Sequence, residues 1–118
     1  MSTASFDARE WEQFATDLGR APLRIQRKAT QILDKVLADG TREAQAFAPV
    51  DTGNLRNSIG WERTNAFAGE FGATAEYAPY VEDGTSRMAP HAFVGPAFDR
   101  QQPLFVTATE ALAAEVLG

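Results

Sequence analysis

The sequence predicts an α+β fold in which helices pack on one face of a small antiparallel sheet. Apolar residues recur at the 3.6-residue spacing of a helix over residues 22–48 and again near the C-terminus. Between these segments, residues 58–75 are dense in β-forming residues that alternate with small or polar ones. The chain has 118 residues, of which 44% are hydrophobic, so we expect one domain spanning residues 1–118.

A short amphipathic helix is predicted to follow Asp7. Asp7 can act as the N-cap, with Glu10 three positions on in a capping-box spacing. Gly19 is expected to end this helix, and Pro22 fits the first turn of the next one. The stripe that would face the core consists of Trp11, Phe14, Ala15 and Leu18.

The long helix over residues 22–48 contains a glycine on its apolar stripe, at Gly40. One possibility is a break at Asp39-Gly40, with Thr41 capping a second piece, because a mid-helix glycine costs about 1 kcal/mol relative to alanine. The other is one continuous helix in which Gly40 allows a close backbone contact. We favour the continuous helix, because the stripe keeps its phase across the glycine. Pro49 should stop it, since the residue before a proline avoids the α region.

Residues 58–75 predict an antiparallel hairpin with a tight connection at Thr64-Asn65-Ala66. The following tract, residues 76–97, contains three prolines and two glycines, which argue against a long regular element. Its aromatic residues must nonetheless be buried in this domain or against a partner, so we expect an ordered loop. The chain should then close with a C-terminal helix, with Pro96 in its first turn and a kink or division near Pro103.

Composition restricts the function classes. The absence of cysteine excludes disulfides, thiolate zinc sites and cysteine nucleophiles. No run approaches the roughly 18 apolar residues of a membrane span, and the N-terminus does not resemble a signal peptide, so no membrane association is expected. The net charge of −5 is unlike that of a dedicated duplex-DNA binder. Arg24, Arg27 and Lys28 form the one basic cluster, which we interpret as a solvated polar face.

The sequence gives little support to catalysis, a metal site or a cofactor. His91 is the only histidine, and no nucleophile-elbow sequence accompanies it, so we interpret it as a structural or interface residue. Glu82 and Asp83 are adjacent rather than spaced as calcium ligands, and no phosphate-binding loop is present. A small hydrolase or nucleic-acid-processing protein that uses His91 with Glu82 or Asp83 remains the alternative of another class, as does a prophage toxin or antitoxin.

The connection at residues 49–58 has two interpretations. Asp51 can form an Asx-type turn, and Gly53 can supply a positive φ. Leu55 is an apolar anchor, while Arg56 offers a planar five-donor fork to a carboxylate or to backbone carbonyls. The segment could be a helix-to-strand connection or an ordered loop that docks a neighbouring subunit, and the residues alone do not decide between the two.

Three motifs in this order resemble a known family. They are Pro49-Val-Asp-Thr-Gly-Asn-Leu-Arg-Asn-Ser58, Tyr77-Ala-Pro-Tyr-Val-Glu-Asp-Gly-Thr85 and Pro90-His-Ala-Phe-Val-Gly-Pro-Ala97. Together they resemble the head–tail joining or tail-completion family of long-tailed phages, to which the minor tail protein Z of phage lambda is similar. Ala92, where a second proline is common, and Gly95, where a bulkier or basic residue often lies, depart from the family pattern.

The resemblance implies a non-catalytic virion protein of the neck, without cofactor or metal, assembled in the cytoplasm of the bacterial host. It implies a ring of about six copies around a channel through which DNA passes without sequence-specific binding. Stopper, terminator and tail-tube proteins would be its neighbours, and a terminator or stopper ring is the alternative position. The subunit-interface candidates are Asp51, Thr52, Gly53, Leu55, Arg56, Tyr77, Tyr80, Glu82, Gly84, Thr85, Arg87, Pro90, His91 and Phe93.

Overall fold

The computed structural model describes residues 2–7, 19–49 and 53–117. The helix predicted to follow Asp7 falls mainly on residues 8–18, outside the described residues. Asp7, the predicted N-cap, is the last residue of a strand, and the helix that it would cap lies outside the described residues. Gly19 and Arg20 are helical, whereas Gly19 was predicted to end the helix.

The architecture is α+β, as the sequence predicts. Four helices accompany a three-stranded antiparallel sheet in the described part of the chain. In chain order the elements are β1 (Ser2–Asp7), α1 (Leu23–Phe47), α2 (Asn54–Asn57), β2 (Ile59–Asn65), β3 (Ala68–Ala73), α3 (Ala78–Asp83) and α4 (Val94–Leu117).

The sheet has the order β1-β3-β2, so the predicted hairpin supplies two strands and the N-terminus adds a third. β1 was not predicted; its residues Phe6 and Ala4 lie opposite Gly69 and Phe71 of β3. The hairpin turn also differs from the prediction, because Asn65 still belongs to β2 and the turn is at Ala66 and Phe67. The side chain of Asn65 accepts a hydrogen bond from the backbone N–H of Phe67 at 2.9 Å, which closes the turn.

Helix α1 runs unbroken through Gly40, as predicted. A Cβ atom added at Gly40 would lie 2.7 Å from Cε1 of Phe71, which is buried in the centre of the sheet. Gly40 therefore lets α1 approach β3 closely. The close contact, rather than a helix break, explains the glycine.

Helix α4 packs against α1 in the antiparallel direction. Lys28 near the start of α1 pairs with Glu115 near the end of α4, while Glu43 near the end of α1 pairs with Arg100. Pro103 lies inside α4 and does not divide it. The proline is exposed, and the carbonyl that loses its partner belongs to Asp99, which is also exposed, so water can replace the missing hydrogen bond.

Both long helices cover the same face of the sheet. The ring of Phe6 on β1 lies 4.8 Å from that of Phe98 and 5.1 Å from that of Phe105, both on α4. The Phe6 ring also stacks on Phe71 at 6.2 Å. This aromatic cluster joins the sheet to α4, while Leu37 and Gly40 join it to α1.

Candidate functional site

The segments that carry the three motifs converge at the end of the molecule where α1 stops. They border an open groove of about 680 Å³, at which Leu55 is almost completely buried. The side-chain amide of Asn54 in the first motif donates a hydrogen bond to the Tyr77 hydroxyl of the second at 3.2 Å. The groove is lined by Pro49, Asn54, Leu55, Tyr77, Val81, Met88, Ala89 and His91.

The first motif closes the C-terminal end of α1. Gly53 has a φ of 73°, as predicted, and precedes the short helix α2, whose Leu55 enters the core. Nε of Arg56 donates to the backbone carbonyl of Gln45 at 3.1 Å. Carbonyls in the last turn of a helix have no partner within the helix. A cation there also interacts favourably with the partial negative charge at the helix C-terminus. Arg56 therefore caps α1, through one of the two partner types predicted for it.

The second motif supplies the cap for the N-terminus of α4. Oε1 of Glu82 accepts hydrogen bonds from the backbone N–H groups of Phe93 and Val94, at 3.2 and 2.9 Å. Oε2 accepts a third from Gly95 at 3.0 Å. A carboxylate satisfies free N–H groups at a helix N-terminus and interacts favourably with its partial positive charge. Glu82 thus caps α4 and closes the tract between residues 82 and 93 into a loop.

The closed loop holds a tight internal turn. Gly84 has a φ of 77°, and an added Cβ would lie 2.7 Å from the backbone nitrogen of Pro90. Thr85 and Met88 pair through two backbone hydrogen bonds, at 2.8 and 3.3 Å. Residues 85–92 are exposed, so the turn presents them to solvent on a fixed backbone path.

The third motif reaches back to α1. Nε2 of His91 lies 3.1 Å from the backbone carbonyl oxygen of Phe47, the last residue of α1. Since a carbonyl only accepts, the ring donates this bond through Nε2–H. The backbone N–H of His91 donates to the carbonyl of Val81 at 2.8 Å, and Phe93 is completely buried. His91 therefore has the structural hydrogen bond that the sequence suggested.

The structure thus separates the predicted interface candidates into two groups. Asp51 and Thr52 lie outside the described residues. Those with an internal role are Gly53, Leu55, Arg56, Glu82, Gly84, His91 and Phe93. Those whose side chains are exposed around the groove and turn are Tyr77, Tyr80, Thr85, Arg87 and Pro90. Of these, Tyr77 accepts the hydrogen bond from Asn54, and Thr85 pairs with Met88 through its backbone.

Five residues that line the groove were not among the predicted interface candidates: Pro49, Asn54, Val81, Met88 and Ala89. Each lies inside or beside a motif, and Met88 is 45% exposed, which is unusual for a large apolar side chain. Sequence reasoning also missed the capping role of Glu82. That role joins residues eleven to thirteen positions apart through tertiary structure, so no helical or strand periodicity could have signalled it.

The geometry around His91 does not resemble a catalytic arrangement. Its Nε2 is directed to a helix carbonyl, and the nearby Glu82 carboxylate is directed to backbone N–H groups. Within the described ranges, no group of three or more histidine, cysteine or acidic side chains could hold a metal ion. Among those same residues, no helix is both long and apolar enough to cross a membrane.

Comparison with known proteins gives one match. The model of the HK97-gp10-like family, described as "Bacteriophage HK97-gp10, putative tail-component", matches residues 12–84. This span includes the first motif and the second as far as Gly84. No curated protein and no solved structure matches the chain. Since the family model covers well over half of the sequence, the chain belongs to the HK97-gp10-like family of phage tail components.

Proposed function

We propose that this protein is a non-catalytic ring component of the phage neck, which joins or completes the tail where it meets the head. Membership in a tail-component family supports an assembly role. The observation that carries the proposal is the groove at the end of α1, because it combines a rigid frame with exposed apolar side chains.

The frame is rigid because both long helices are capped by the motifs themselves. Arg56 and His91 bind carbonyls at the end of α1, and Glu82 binds three N–H groups at the start of α4. Groups held in this way lose little conformational entropy on binding, so a preorganised loop favours association.

The exposed side chains supply the contacts. Tyr80 is 60% exposed and Met88 is 45% exposed, and Met88 lines the groove together with Tyr77. Aromatic residues and methionine are enriched at protein interfaces. We therefore assign the contacts with neighbouring proteins of the neck to Tyr77, Tyr80, Arg87 and Met88. Glu82, Arg56 and His91 hold the loop in place.

In this proposal the protein forms a ring of about six copies, in which each copy offers two different surfaces to its neighbours. Stopper, terminator and tail-tube proteins adjoin the ring. The net charge of −5 suits a channel wall along which DNA passes without adhering. A terminator or stopper position would use the same surfaces, so the position in the neck distinguishes these assignments.

The test uses a phage that encodes this chain, with the gene deleted and the protein supplied in trans. Tyr80→Ala combined with Met88→Ala should lower the yield of infectious particles about tenfold or more, since interface anchors carry most of the binding energy. Leu104→Ala is the matched control, because Leu104 is 58% exposed but lies on α4 away from the groove. A reconstruction of the virion neck locates the wild-type protein.

Two results would overturn the proposal. One is a reconstruction that finds the protein elsewhere than in the neck. The other is a Tyr80/Met88 double variant that supports phage growth as well as the Leu104 control. If the protein is found at the terminator or stopper position, its role is that of a terminator or stopper rather than a joining protein.

A further inference from the structure

The sheet face that the described helices leave uncovered has properties that the packing of the described residues does not explain. Gly69 and Phe71 of β3 point toward α1, so the residues between and after them, Glu70 and Gly72, point away. The strand register places Glu62 directly opposite Glu70, and Gly60 directly opposite Gly72. The face carries an open groove of about 300 Å³.

The first unexplained property is a pair of like charges. Opposite residues of an antiparallel pair approach closely, and two carboxylates there repel each other. Neither Glu62 nor Glu70 forms an ion pair with any residue in the described part of the chain. A cation placed over this face would relieve the repulsion.

The second unexplained property is Gly60. Glycine in a strand interior weakens it, and such glycines often mark a site of close approach. A Cβ at Gly60 would have no described atom within 4 Å, so the packing of the described residues does not require glycine. A partner that approaches the sheet closely would account for it.

The third property is the free edge of β2. Six of its seven residues are exposed. Among the described strands β2 lies at an edge of the sheet, so one side of its backbone has no described strand beside it. The face and edge together form a surface on which a partner can lie.

The same chain carries a surface of the opposite sign. Arg20, Arg24, Arg27 and Lys28 are exposed at the N-terminal end of α1. Glu115 pairs with Arg24 and Lys28, which leaves an excess of positive charge among the described side chains there. Arg24, at the centre of this surface, lies ten residues before Asp34, which is about 15 Å along the helix. Asp34 is the residue of α1 that pairs with Arg63 of β2. The two surfaces are therefore separate.

We propose that the uncovered sheet face of one copy receives the basic N-terminal end of α1 from a second copy. This inference rests on the proposed ring and specifies its copy-to-copy contact. Arginine side chains of the second copy lie between Glu62 and Glu70, and Gly60 leaves room for them. Because the two surfaces differ, the contact is heterologous and can repeat around a ring. The groove at the other end of α1 then remains for the neighbouring neck proteins.

The experiment measures self-association of the full-length chain by sedimentation velocity and native mass spectrometry. Glu62→Lys with Glu70→Lys, and separately Arg20→Glu with Arg27→Glu, should each raise the dissociation constant about tenfold or more. Mixing the two double variants should restore association, because each then supplies the surface that fits the other. Lys35→Glu with Arg42→Glu is the matched control, which makes the same change of charge elsewhere on α1.

Gly60→Thr gives an independent readout. Threonine favours strands and meets no described atom at this site, so the variant should fold with unchanged or higher thermal stability while losing self-association. Association that survives both reversals and Gly60→Thr overturns the contact but leaves the ring proposal intact. A wild-type chain that stays monomeric, alone and with neck proteins, overturns both. Failure of the mixture to associate also counts against the contact.

Discussion

Glu82 lies twelve residues before Val94, and its carboxylate accepts the backbone N–H of Val94 at 2.9 Å. One acidic side chain in the second motif therefore caps the helix that begins within the third motif. Arg56 and His91 cap the end of α1 by hydrogen bonding to carbonyls of its last turn. These polar motif residues thus cap the end of α1 and the start of α4. Contact with neighbouring neck proteins is left to the exposed side chains around the groove.

Replacing Glu82 should destabilise the protein. Glu82→Ala removes three hydrogen bonds from N–H groups at the start of α4, and loss of a helix cap with charge-assisted bonds costs about 1–3 kcal/mol. Glu82→Gln should cost less, because the amide oxygen still accepts but carries no charge. Chemical denaturation measures both changes.

Asp83→Ala is the control for this prediction. Asp83 is the adjacent acidic residue and is exposed. It should change the free energy of unfolding by about 0.5 kcal/mol or less, as is usual for surface substitutions. Equal losses at positions 82 and 83 would show that the capping bonds contribute little.

Much of the fold could be predicted from sequence because α1 and the hairpin depend on local patterns. The apolar stripe of α1 keeps its phase over 25 residues, which specifies a helix without knowledge of its neighbours. β1 was missed because Ser2–Asp7 offers few apolar residues, and its pairing with β3 joins residues more than sixty positions apart. The division of the motif residues into caps and exposed contacts likewise depends on tertiary structure.

Gly40→Ala should destabilise the protein although alanine is the better helix former. The propensity gain is about 1 kcal/mol, whereas the new methyl group would meet the buried Phe71 ring at 2.7 Å. Overpacking of a core costs about 1–3 kcal/mol, so we expect a net loss of about 1 kcal/mol. Thermal and chemical denaturation measure the loss.

The double variant Gly40→Ala with Phe71→Leu separates the gain in helix propensity from the cost of overpacking. If the ring is the obstacle, Gly40→Ala should be less harmful, or even favourable, in the Phe71→Leu background. Additive effects of the two substitutions would place the cause elsewhere than in this contact.

Arg56→Lys should loosen the end of α1. The Nε–H that reaches the Gln45 carbonyl at 3.1 Å has no equivalent in lysine, whose ammonium is a flexible point charge. We expect a loss of about 0.5–1.5 kcal/mol in the free energy of unfolding. Hydrogen exchange should accelerate in the last turn of α1 and not around Leu33. If hydrogen exchange in that turn is unchanged, Arg56 does not act as the cap of α1.

His91→Gln tests the second bond to the same helix end. Nε2 of His91 lies 3.1 Å from the Phe47 carbonyl, and a glutamine amide can donate a similar bond, while His91→Ala cannot. His91→Gln should therefore retain more stability than His91→Ala. If phage growth is lost in a stable His91→Gln protein, the imidazole has a role beyond this hydrogen bond.

The pair between Lys28 and Glu115 predicts a pH effect of known sign. The hydrogen bond from Lys28, together with a smaller contribution from Arg24, holds the pKa of the Glu115 carboxyl below its ordinary value. A carboxyl whose pKa is lower in the folded chain stabilises the fold above its unfolded pKa. That stabilisation is lost as the pH falls through the folded value. In Lys28→Met the pKa of Glu115 should rise toward its ordinary value, as a carboxyl-detected NMR titration can measure.

Added salt distinguishes the direct hydrogen bond from a general effect of net charge. Salt screens a long-range effect more strongly than a direct contact, and Nζ of Lys28 lies 3.0 Å from the Glu115 carboxylate. The difference in the pKa of Glu115 between the wild type and Lys28→Met should therefore persist as the ionic strength rises. If salt abolishes that difference, the cause is the change in net charge rather than the hydrogen bond.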